Sequence, residues 1–471
     1  MADRDIALMA HLMRRAGFGA TREELEANCA KGYEATVEEL LDPDSQPVWE
    51  QDLEERYYAE YRDTTDPMTS GTKWVYRMIS TPRVLEEKVA LFWHGILCTG
   101  DAKVFHGGQM QTTIDMFRLY GMGSFKDILV QLSTDPGMAF FLDNTENHKG
   151  SVNENYGREI LELFSLGVGM DGQPNYTEED VKECSRAFTG WTMGNPLPRW
   201  PYGRYPWTKK YDSSDHDDGV KTFLGETGNW NGEDIIDIIC KQPSCARFIA
   251  RHLYNFFVAD DVETAQWQGT PPRDPEAIST LEKAFVESNY QIKAVLRVLF
   301  NSDFFKNARF TKVKSPAEVV VGTMRLVQDY TTPKHGMHPI ASETRYMGQD
   351  MMDPPTVEGW HTGKEWIDSG TLVERINFVS EQVGNTDLPG VKAMVNRLID
   401  DGVSGPKELV EGCLDLMGPV EVSEQTLGLL TDHASKAGEL HTGTEDERAD
   451  FTKRVGEMLQ LVVASQEYQL C

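Results

Sequence analysis

Of the short signatures that announce a reaction, this chain of 471 residues carries almost none. There is no GxxxxGKS or GxxxxGKT loop to cradle phosphates and no GxSxG nucleophile elbow, which argues against P-loop nucleotide hydrolysis and ordinary α/β-hydrolase chemistry. HExxH is absent too, so a metal site has to be assembled from distant segments. Gly17-Phe18-Gly19 lacks both the third glycine and the preceding strand of a dinucleotide fold. Cysteine is sparse: seven residues (Cys29, Cys98, Cys184, Cys240, Cys245, Cys413, Cys471) with no CxxC pair, a pattern of reduced and mostly buried thiols. No apolar run approaches the ~18 residues of a membrane span, and the opening MADRDIALMAHLMRRAGFG has neither the apolar core nor the cleavage site of a secretory signal. The expectation is a non-spanning, cytoplasmic protein, with co-export to the periplasm or envelope as the alternative. Basic residues are also short, 46 Lys+Arg against 75 Asp+Glu for a net charge of -29, and so acidic a surface repels nucleic acid and anionic lipid.

What is present is a globular composition, 40% hydrophobic and 10% aromatic, able to bury a sizeable core. Apolar residues recur at helical spacing in Ile6 to Met13, Val84 to Leu97, Ile160 to Leu166, Ile235 to Ile239, Phe248 to Phe257 and Ala317 to Val327. Helix starts are predicted at Thr21-x-x-Glu24, Ser151-x-x-Glu154, Thr177-x-x-Asp180 and Ser315-Pro316-x-Glu318. The fold class is therefore mainly α, a large multi-helical single body of roughly twenty helices with a small β-hairpin in a long aromatic loop. The loop spans 191–225, where period-two hints in RYPWTKKYD and VKTFL suggest the hairpin. A second irregular stretch covers 331–370, where prolines and glycines disfavour long helices. Residues 1–375 read as the core and 376–471 as a C-terminal helical lobe packed on it.

The richest stretch of polar side chains at helical spacing follows Ser151. Glu154, Arg158 and Glu162 share one stripe and Asn155 and Glu159 the next, which is either an ion-pair ladder or a catalytic face. In the catalytic reading Glu159 and Glu162, held by Arg158 and Asn155, project into a cleft, and two close carboxyls push each other's pKa apart. Asp215-His216-Asp217-Asp218-Gly219 mixes hard oxygens with an imidazole, so His216 and Asp217, with His94 from LFWHG, are candidate ligands for a divalent metal; a polar turn and a core histidine are the plainer readings. Trp191, Trp200 and Trp207 could stack sugars, or fold the loop onto the body.

Several longer motifs, HLMRRAGFGAT at His11, LFWHG, NENYGREILELFSLG at Asn153, YTEEDV, FTGW, HDDGVKTFLG, KSPAE at Lys314 and DPPTVEGW at Asp353, follow one another in an order that resembles the bacterial family known as domain of unknown function 1800 (DUF1800). The resemblance implies a largely helical fold but no established catalytic residues. It carries over Asn153, Glu154, Asn155, Arg158, Glu159, Glu162, His216, Asp217 and Lys221 as motif positions, with Lys221 a substrate-binding candidate. Members often read WHNHF where this chain has Trp93-His94-Gly95-Ile96-Leu97, so a second nearby histidine is missing. Family genes often neighbour those of a sulfatase-like family, domain of unknown function 1501 (DUF1501), which implies such a protein as partner; self-assembly into an oligomer is a further expectation. The functions expected are a metal-assisted hydrolase or accessory enzyme acting on a polymeric or sugar-like substrate, or a non-catalytic scaffold.

Overall fold

In the computed structural model, which describes residues 3–49, 66–195 and 205–471, helices dominate because the sequence supplies both periodic apolar faces and well-made starts. Among the described residues there are 23 α-helices and three two-stranded antiparallel sheets. Thr21, Thr177 and Ser315 each accept from the backbone amide three residues on while that residue's carboxylate accepts from the cap amide, closing the predicted capping boxes. Ser151 does not. It pairs with His148 across a turn, and the next helix, Asn155–Glu162, starts instead with Asn153 Oδ1 accepting from Asn155 N at 2.9 Å.

A continuous set of buried apolar side chains runs from Ile6 to Tyr468 through every part of the described chain. Val84–His94 lies wholly inside it, and Pro243–Phe257 crosses it with Phe248, Ile249, Leu253 and Phe257 buried. The helix Ser369–Gly384 carries the chain from the core into the C-terminal region and packs on both Pro316–Leu326 and Glu445–Val463. All seven cysteines are free, Cys29 half-buried and the other six buried. No helix among the described residues is long and apolar enough to cross a membrane.

The aromatic loop pairs differently from the expectation. Its two strand-like pieces do not pair with each other: Trp191–Met193 pairs with Lys209–Tyr211, whereas Lys221–Phe223 turns back on Glu226–Gly228. Leu224 and Gly225 both hold positive φ, 47° and 84°, the backbone of a tight two-residue hairpin whose twist matches its strands. The 331–370 stretch contains a ten-residue helix, Met337–Tyr346, with Pro339 in its first turn, where a missing amide costs nothing.

Candidate functional site

Close packing aims the polar helix. A Cβ on Gly157 would collide with Ser185, so only glycine lets Asn155–Glu162 lie directly against Glu178–Ala187. Asn155 ties the helix start down by donating to Leu142 O at 3.1 Å, and Arg158 forms a two-pronged ion pair with Glu178, 2.7 and 3.0 Å. Those two side chains are therefore committed to partners within the protein. Glu162 lines a cleft of about 600 Å³, and Glu159, one turn earlier, lies close enough to feel its charge.

The opposite walls come from segments not singled out as site candidates. Asp171 and Gly172, φ 53° and 77°, turn the hairpin formed by Gly169–Met170 and Gln173–Pro174, and Gly172 N donates to Gln268 O at 3.1 Å to join it to the facing loop. That loop owes its shape to Arg251, 3% exposed, whose guanidinium donates to Asp261 at 2.8 Å and to the carbonyls of Thr270 and Pro271 at 2.9 and 3.3 Å. It also sits 4.5 Å over the Trp267 ring, and Trp267 lines the cleft beside Phe248. Arg247 is divided between Glu282 at 2.9 Å and Asp171 at 3.1 Å. Glu358, from DPPTVEGW, completes the mouth; the next residue, Gly359, has φ 95° and packs directly on Gly95.

Electrostatically the carboxyl end stands out. Burial raises Glu159 from its ordinary value, and the charges of Glu162 and Glu358 add to this while Arg158 opposes it. Glu162 accepts a hydrogen bond from the Tyr176 hydroxyl at 3.0 Å. Glu162 and Glu358 thus line the cleft, with Glu159 and the Tyr176 phenol beside Glu162, while both arginines of its other walls are already engaged.

The metal candidates are not brought together. Among the described residues no group of three or more His, Cys, Asp or Glu converges as a metal site. His216 is buried with Nδ1 on Thr189 O at 2.8 Å. Asp217 is held by Arg186 at 2.8 and 3.2 Å and by Gly219 N, and the Arg186 bonds pull its carboxyl down to about 2. Burial between Trp74 and Trp360, ring centroids 5.5 and 5.2 Å away, lowers His94 to about 3 and leaves it a neutral core residue.

The substrate-binding candidates hold the loop together. Lys221 is fully buried and donates to the carbonyls of Asp217 and Gly219. Trp191 donates to Asn231 at 2.9 Å and packs on Phe188; Trp207 lies between His106 and Phe140, centroids 5.3 and 5.2 Å away. Trp200 lies outside the described residues.

Comparison with curated proteins and with solved structures finds no match. The family comparison does: residues 11–470, which include every segment that builds the cleft, match the family described as Protein of unknown function (DUF1800), and the chain belongs to it.

Proposed function

We propose that the protein is a general acid–base hydrolase of a neutral, hydroxyl-rich substrate, a sugar polymer being the leading class. The observation that carries this reading is the pair Glu162 and Glu358 on the cleft wall, with Glu159 next to Glu162 on the same helix and raised by burial and by their charges. A carboxyl of raised pKa beside a second carboxyl is the pairing acid–base cleavage uses: Glu159 serves as the acid toward the leaving oxygen, and Glu162, oriented by Tyr176, activates the incoming water. Neutral substrates fit better than sulfated or phosphorylated ones, because Arg247 and Arg251 are already paired and the free charge in the cleft is negative. Trp267 supplies an apolar surface for a sugar ring.

The test is turnover and binding of a panel of neutral oligosaccharides by the native protein and by Glu159→Gln and Glu162→Gln. Each variant is expected to keep its fold and lose about 100-fold or more of kcat. Undiminished turnover in both would remove the acid–base assignment. Ligand binding without turnover in all three proteins would favour a binding module. Stoichiometric co-purification of a sulfatase-like protein with no oligosaccharide binding would favour the scaffold.

A further inference from the structure

A second hollow, of about 60 Å³, shares no lining residue with the cleft. Two segments of the sequence that the cleft does not use meet there. HLMRRAGFGAT contributes Arg14 and Phe18, and KSPAE contributes Lys314; Tyr468 and Gly418 close it from the C-terminal region.

Its charges are unbalanced for so acidic a protein. Glu318, the lining carboxylate, is committed to Lys88 and Lys312. Arg14, Arg15 and Arg375 direct their hydrogen bonds at carbonyls and a sulfur, namely Gly418 O, Val258 O, Lys314 O and Cys471 Sγ. Nε of all three, and Nη2 of Arg375, are buried with no acceptor. Arg15 and Arg375 have no exposed surface at all. The Lys314 ammonium rests 3.7 Å over the Tyr468 ring, and burial, with Arg14 and Arg375 adding to it and Cys471 and Glu318 opposing, lowers it to about 7. A buried donor without an acceptor is costly, and a small anion in the hollow would accept from Arg14 beside Lys314. The hollow has room for roughly four or five water-sized atoms.

We infer that this hollow is a binding site for a small oxyanion, held by Arg14 and Lys314 with the buried guanidinium of Arg375 behind them. The site is independent of the cleft and of the activity proposed for it.

The first measurement is acylation of Lys314 in the native protein, followed by peptide mass spectrometry in sulfate, acetate or chloride at equal ionic strength. Sulfate or acetate is expected to slow Lys314 labelling about tenfold relative to chloride, as occupancy near ten times Kd would, and the more protective ion distinguishes a tetrahedral dianion from a planar carboxylate. Equal labelling in all three salts overturns the assignment. The second measurement is thermal unfolding of the native protein and Lys314→Met. Sulfate or acetate should raise the native Tm above its value in chloride, and Lys314→Met should lose that rise while its Tm in chloride is unchanged or higher, since an ammonium whose charge burial disfavours has been removed. An anion-specific rise retained in Lys314→Met also overturns it. If Lys314→Met does not fold, labelling of the native protein decides alone.

Discussion

Glu159 is a carboxyl whose surroundings disfavour its own charge, through burial first and then Glu162 and Glu358. The folded-state pKa is raised, so above the ordinary carboxylate pKa the native chain holds a proton the unfolded chain has released, and stability falls as pH climbs through that window. Glu159→Gln removes the penalty. It is expected to raise Tm at pH 8 by on the order of 1–2 °C, with little change at pH 4, while catalysis is lost; calorimetry at the two pH values checks this. A lower Tm at pH 8 would mean that Glu159 is a structural partner rather than a strained acid. Asp217 has the opposite character, its carboxylate stabilised by Arg186, which is why a residue read as a metal ligand serves the fold. Sequence shows the donor but cannot show that its oxygens are already taken.

Between elements, the decisive contact is the approach of Asn155–Glu162 to Glu178–Ala187 over Gly157. Gly157→Ala puts a methyl into Ser185 and is expected to cost about 1–3 kcal/mol and to shift Glu159 and Glu162 relative to the far wall, so kcat should fall along with the urea midpoint. Unchanged stability and activity would show that the two helices part without consequence. This scale also shows what the sequence discloses. Capping boxes are local, and those at Thr21, Thr177 and Ser315 were readable; Ser151 misleads because a turn through His148 uses it first. The Asp171-Gly172 hairpin turn is equally local, and it builds one wall of the cleft. Glu162 and Glu159 could be picked out because helical spacing is visible in a string of letters. Glu358, Arg251 and Trp267 could not be assigned to them, since no periodicity links residues about one hundred or more positions apart.

Across the whole molecule, helices distant in sequence are joined by a buried ion cluster at Lys88, Lys312 and Glu318. Burial opposes the Glu318 charge, yet Lys312 and Lys88 hold the carboxyl well below its usual range. Its contribution is therefore in place above the ordinary carboxylate pKa and is lost only as pH falls through the depressed one. Glu318→Gln strands two buried ammonium groups and is expected to cost about 3–5 kcal/mol. Denaturant unfolding of the native protein and the variant reads this, and a loss below about 1 kcal/mol would place the cluster in contact with solvent. The distribution of sulfur has a further use. With one thiol half-buried and six enclosed in the core, a chromogenic thiol reagent should titrate Cys29 first and the remainder only as the chain opens. Their common or staggered release would then record, without any label introduced by mutation, whether the 471-residue chain comes apart as one unit or in pieces.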